Sequence, residues 1–273
     1  MDALAQAQAG VAAPDLHPGA LETLLTAPSG LTLAAGDSTT VTRTLLDGLG
    51  LSHDGGGRIV TPEASPTQAQ GAVCVPVTVP TDLRLAVVPG PRSEDVAGHL
   101  RALATCLVHA GTDPTWPWAR RHVRAPGEVE ALAFPLIAVT FEPGFWRSAG
   151  LAEGDAETLA RRRSLGRLAG LRRLAARVVF ELERLTTGAD DVRYRQLMSR
   201  AMGYDVGPAA FLWRLETGDL PGLVAALDAA VAGDALLAWL QDAFGSNWWQ
   251  VPDAGRALAE RWRTDEAAQP PSP

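Results

Sequence analysis

The sequence predicts a mainly α-helical protein with one small β-sheet, and three observations carry that reading. Beyond Pro91, apolar residues recur three and four apart in long runs, the spacing of a helix with a buried face. Val73 to Val79 and Leu83 to Val88 are short β-branched runs bounded by Pro, Gly and Asp, the punctuation of strands. With 273 residues, 47% of them hydrophobic, the chain is long enough to enclose a sizeable core.

In chain order, residues 1–20 are rich in Ala, Gln and Gly and read as a flexible start, with a helical pattern around His17 to Leu25. Val41 to Leu49 predicts a short helix ended by Gly50, and the loop SHDGGGR separates it from the two strands. Ser93 to Pro114, SEDVAGHLRALATCLVHAGTDP, predicts the best-formed helix. Ser93 is the expected cap, Glu94 and Asp95 suit the positive end of the helix dipole, and Val96, Leu100, Leu103 and Leu107 fall on one face. Further on, Arg161, Arg162, Arg163, Arg167, Arg172, Arg173, Arg177 and Arg184 crowd one long helix. Its expected buried face is Leu165, Leu168, Leu171, Ala175, Val178, Leu182 and Leu185. Breaks are expected at 188–190, 203–208, 218–222 and 245–252, and the tail 264–273 reads as disordered. Residues 21–263 read as one domain, with possible lobes 21–92, holding the sheet, and 93–263, wholly helical.

Composition narrows the setting. All 24 basic residues are Arg, and the net charge of −7 weighs against general nucleic-acid affinity. Two cysteines, Cys74 and Cys106, are too few for a disulfide framework and are expected as buried free thiols. The first 20 residues show no basic start followed by an apolar run, and no segment was expected to reach the roughly 18 apolar residues of a membrane span, so the cytoplasm is the expected location.

Several stretches together resemble bacterial zinc peptidases of the thimet oligopeptidase and oligoendopeptidase F type. They are GAVCVPVTVPTDLRLAVVPGP (Gly71 to Pro91), the helix from Ser93 running into TDP, EVEALAF (Glu128 to Phe134), LRRLAARVVFELERL (Leu171 to Leu185), YRQLMSRAMGY (Tyr194 to Tyr204) and FGSNWWQVPDAGRALAERW (Phe244 to Trp262). The resemblance spans about Leu45 to Arg263 and implies a zincin-like fold. Set against the family's HExxH motif, this chain has Arg101, Ala102, Leu103, Ala104 and Thr105, so both His ligands and the general-base Glu are missing. The family's third ligand corresponds to Glu130, a lone carboxylate that Arg101 is placed to neutralise. The stretch Leu215 to Asp228, which corresponds to the Tyr-bearing wall of the family's site, contains no Tyr.

The resemblance therefore implies an inactive relative with neither zinc nor any other cofactor, whose former substrate cleft, lined by Trp116 and Trp118, binds an unidentified peptide or protein or serves as a scaffold. No membrane or nucleic-acid partner is expected. Two rivals follow from the residues: a hydrolase built around Glu130, Glu128 and His122, or an anion- or nucleic-acid-binding module using Arg162, Arg167 and Arg173 of the 161–184 helix. His99 and His109 lie ten residues apart, about 15 Å along a helix, too far to share a metal ion. No GxSxG elbow is present. The pair Trp248–Trp249 with Pro252 resembles the family's packing signature near the C-terminus, which implies that both rings pack in the core.

Overall fold

The computed structural model describes residues 29–61, 71–207 and 219–264, and is mainly helical with one three-stranded sheet. The expected helix at 17–25, Trp213, part of the Tyr-free stretch and nearly all of the tail lie outside the described residues. The chain divides into two compact units, Ser29–Ala160 with Ala229–Pro273, and Met1–Pro28 with Arg161–Asp228. This differs from the expected lobes 21–92 and 93–263, because the sheet and the helix that follows it share a single core.

In the larger unit, helix α1 (Ser38–Gly48) is capped by Asp37, which accepts the Thr40 N–H at 2.9 Å. That bond holds the Asp37 carboxyl below its ordinary pKa. The SHDGGGR loop places Gly55, Gly56 and Gly57 in succession at φ 60°, 73° and 81°, a left-handed run that side chains resist. It leads into strand β1 (Ile59–Val60), which the sequence pattern gives no sign of. Strands β2 (Ala72–Thr78) and β3 (Asp82–Val87) match the two expected runs. The order is β1-β3-β2, with β1 parallel and β2 antiparallel to the central β3, so β2 is an edge.

Helix α2 (Ser93–Gly111) lies at the centre of this unit. The sequence predicts one buried face, and Val96, Leu100, Leu103 and Leu107 are indeed buried, but so are Ala102, Ala104, Cys106, Val108 and Ala110. The sheet packs on one side, and α1, α4 (Pro126–Ala138) and α9 (Pro252–Arg263) pack on the others. Small residues fill the sides that periodicity alone leaves polar. The cap also differs from expectation: Arg92 is the N-cap, its N–H donated to Asp95 Oδ2 at 3.0 Å. Ser93 is buried one position inside, its hydroxyl paired with that of Ser29 at 2.7 Å.

The two cysteines are joined rather than free: Cys74 on β2 and Cys106 on α2 form a disulfide, with Cα atoms 5.6 Å apart. The sequence places both thiols in apolar settings, but only the packing of the edge strand on α2 brings them within bonding reach. Trp248 and Trp249 are buried as expected, and Trp146 and Trp262 join them in the core.

Helix α8 (Leu220–Phe244) also corrects an expectation. An 18-residue window of it has a mean hydropathy of 1.8, so among the described residues one helix is long and apolar enough to cross a membrane. Asp228 and Asp234 interrupt it, however, and a Cβ on Gly233 would stand 2.8 Å from Phe134 Cβ. That approach, continued by buried Leu236 and Leu240, packs part of the helix against protein, although only 28% of the apolar window is buried.

In the smaller unit, α6 (Glu153–Thr187, from Arg161 onward) is followed by α7 (Asp191–Met202). The expected apolar face of α6 is only partly used: Val178 is buried, but Leu168, Leu182 and Leu185 are exposed. Phe180 instead anchors a small cluster with Ala176, Tyr194 and Met198, its ring edge-on to Tyr194 at 5.0 Å. Arg193 of α7 pairs with both oxygens of Glu183 at 2.6 and 2.7 Å, turning α6 so that this face meets α7.

Two predictions follow. Closing a 32-residue separation by a bond stabilises a chain by about 4 kcal/mol through the unfolded state, so Cys106→Ser should lower stability by about that amount in urea unfolding, and reductant should have the same effect on the parent protein. Buried His99, beside Ser38 and edge-on to His53, has its pKa pushed down from 6.5 to about 4, chiefly by burial and then by His53, with Asp37 opposing. Its neutral form is favoured in the fold. The unfolded chain takes up a proton below pH 6.5 that the folded chain refuses until about 4, so stability should fall by about 3 kcal/mol across that window. His109, shifted the same way, adds to the loss. Chemical denaturation from pH 7 to 4 should show the slope, and His99→Gln should flatten part of it.

Candidate functional site

The residues that the peptidase resemblance singles out lie on α2 and α4. Arg101 Nη1 stands 3.9 Å from Glu130 Oε1, so the expected pair forms, but both side chains are more than half exposed. A pair so open to water contributes little. Thr105 is half-buried and donates its hydroxyl to the Arg101 carbonyl at 3.0 Å, whereas Ala102 is buried in the core. Arg101 and Glu130 thus meet on the outer side of two packed helices rather than on the floor of a groove. The reason is geometric: the inward sides of α2 are already filled by the sheet and its helical neighbours.

The hydrolase trio is likewise apportioned to separate partners. Glu128 accepts from Arg124 Nε at 2.8 Å. His122 accepts the Val79 N–H on Nε2 at 3.2 Å, which leaves Nδ1 to donate to the Trp118 carbonyl at 3.1 Å. Glu130 has Arg101. Among the described residues, no three His, Cys, Asp or Glu side chains gather as a metal-ion set. A cavity of about 220 Å³ between α1, α5 (Pro143–Ser148) and the Trp248–Gln250 turn is lined by Val41, Thr44, Leu45, Phe145, Trp249 and Gln250 among others, with no ionisable side chain to do acid–base work.

Trp116 and Trp118 do not share a cleft. Trp116 is half-buried, with the Arg120 guanidinium 4.6 Å above its ring and that of Arg124 5.4 Å away. Trp118 opens the five-residue helix α3 (Trp118–His122), is 64% exposed, and stacks on His122 with centroids 4.6 Å apart and planes 16° apart. Arg121 donates to the Val79 carbonyl at 2.9 Å, so His122 and Arg121 together grip both polar groups of Val79. The β2–β3 turn is thereby fixed to the aromatic surface.

The residues that sequence reasoning missed lie on the sheet. Val73, Val75 and Val77 are 52%, 46% and 52% exposed along edge strand β2, and Val60 and Val88 are exposed beside them. Arg84, opposite Val75 in the register, pairs with Asp82 through both carboxylate oxygens at 2.7 and 3.0 Å, so the face is electrically neutral. The signal was present in VCVPVT, where Val alternates with Cys, Pro and Thr. Ordinary alternation would bury the valines; the Cys74–Cys106 bond instead turns the cysteine side inward and the valines out.

Arg124 holds the region together. Its side chain is 1% exposed, it bonds Glu128, and its Nη1 reaches Thr112 Oγ1 and the Trp262 carbonyl, each at 3.4 Å. Arg124→Gln should therefore cost about 2–3 kcal/mol in equilibrium unfolding, less than for a fully buried pair because Glu128 keeps some access to water. Comparison with protein-family models, with curated proteins and with solved structures finds no match for this chain.

Proposed function

We propose that the chain is a non-catalytic binding protein that takes up a short extended segment of a partner polypeptide on the edge and outer face of β2. The row of half-exposed valines on an edge strand carries this reading. An added strand gains backbone hydrogen bonds from an edge that no described strand pairs with, and covers alternate side chains, here Val73 and Val75. Pro76 supplies no N–H, and the register slips between Pro76 and Thr78, so the usable edge is short, Ala72 to Val75. A blunted edge of this type resists indiscriminate pairing while leaving room for a small ligand segment. Each half-exposed valine that becomes covered contributes on the order of 1 kcal/mol.

The Arg-rich helix is less suited to anion binding than its sequence promises, because Arg162, Arg167 and Arg173 all have partners already. A second reading, a degenerate metallopeptidase relative, rests on the sequence resemblance alone, because the Arg101–Glu130 pair lies on an exposed flank and not in a groove. Stoichiometric zinc in purified protein would overturn that reading. For either reading, an oxidising compartment is the setting in which the Cys74–Cys106 bond persists, rather than the cytoplasm expected from the first 20 residues and from the expected lack of a membrane span.

A labelled Thr-Val-Thr-Val-Thr peptide should bind the purified protein in fluorescence anisotropy, and Val75→Lys should weaken it at least tenfold while leaving urea stability unchanged. No binding at millimolar protein, or equal binding by the variant, would overturn the proposal.

A further inference from the structure

Besides its backbone pairing with β3, strand β2 is held to the rest of its unit at two places, and they differ in kind. The neighbouring β3 carries three large side chains into the core, Leu83, Leu85 and Val87, each 5% exposed or less. The positions of β2 opposite them in the register are Pro76, Cys74 and Ala72. Pro76 is exposed, and Ala72 is small and only half-buried. On the inward side, the chief tie of the stretch from Ala72 to Val75 is therefore the bond from Cys74 to Cys106 of α2. The second place is the turn, where Val79 is buried and His122 and Arg121 hold its N–H and carbonyl. One tie can be reduced; the other has no redox chemistry.

The two sulfurs are unequally open. Cys106 is fully buried, whereas Cys74 is half-buried on a strand with no described neighbour beyond it. A thiolate of a dithiol reductant therefore meets Cys74 Sγ first. It bonds to that sulfur, the Cys74–Cys106 bond breaks, and Cys106 leaves as a thiolate that takes up a proton. The reductant's second thiolate then attacks the reductant's own sulfur in the mixed disulfide, which closes the reductant's disulfide and releases Cys74 to be protonated in turn. Two electrons and two protons pass to the protein, and the dithiol is oxidised. From this we infer that the bond is a redox latch on the β2 site. Oxidised, it holds Ala72 to Val75 against α2 in the extended form that a partner strand requires; reduced, it lets that end of β2 loosen while β3, α2 and the Val79 turn keep their places. This rests on the binding role proposed for β2 and names how that site is controlled. A partner that meets the reduced protein must order the stretch as it binds, and the entropy lost weakens the complex.

The labelled Thr-Val-Thr-Val-Thr peptide and amide hydrogen exchange read the two consequences separately. Oxidised protein should bind the peptide, protein held in dithiothreitol should bind it at least about tenfold more weakly, and reoxidation should restore the affinity. Cys74→Ser with Cys106→Ser should behave as the reduced protein whether or not dithiothreitol is present. On reduction, the amides between Ala72 and Val75 that pair with β3 should lose their protection, while those of α2 and α9 remain protected relative to an unfolded chain. Equal affinity in the oxidised and reduced states overturns the latch and leaves the β2 site standing. Loss of protection in α2 as well makes the bond a requirement of the whole fold and overturns a local latch. If the oxidised protein binds no peptide, the β2 site falls and the latch falls with it.

Discussion

Helix α2 is enclosed by the sheet, by α1 and α4 and by the C-terminal α9, and this enclosure governs the larger unit. A helix buried on so many sides needs small side chains where its neighbours come closest. It has them in Ala102, Ala104 and Ala110, and Gly111 leaves so little room beside Trp262 that a Cβ would stand 2.7 Å from Trp262 Cβ. The helix ends are satisfied by their surroundings: Arg92 and Asp95 close the start, and Arg58 donates to the Ala110 carbonyl at the end, where a cation also suits the dipole. Arg124 extends the same junction by joining Thr112, just past that end, to the last turn of α9.

Because α2 consumes the inward side of the sheet, the outward side is left to solvent or to a partner. The disulfide fixes which side of β2 is which. Ala72 and Cys74 are the half-buried positions of that strand, so the bond to Cys106 is its chief side-chain tie to the core. The same constraint moves Arg101 and Glu130 to the exterior, since the interior of the α2–α4 pair is filled by apolar side chains. What the peptidase resemblance treats as a floor is, in this fold, a solvent-facing flank.

The smaller unit shows a different balance. Its apolar cluster is small, and Arg177 and Glu181 are buried beside it. The ion pair of Arg193 with Glu183 joins α7 to α6, and that of Arg195 with Asp205 ties α7 to the loop that follows it. For exposed pairs such contacts orient more than they stabilise. The exposure of Leu168, Leu182 and Leu185 is the consequence of a packing centred on Phe180.

Periodicity and punctuation in the sequence determined the helical class, the helix at Ser38–Gly48, both long strands, and the helix at Ser93–Gly111 with its Val96, Leu100, Leu103 and Leu107 face. These follow from local rules, in which side-chain spacing and chain-breaking residues act over a few positions. Strand β1 escaped because two residues carry no period, and the α6 face was misassigned because Leu and Phe compete for one neighbour, a choice that α7 makes. Only the tertiary structure decided that Cys74 meets Cys106, that the valines of β2 face outward, and that His122 and Arg121 clasp Val79. Each of those depends on contacts across 32 to 43 residues, which no local spacing encodes.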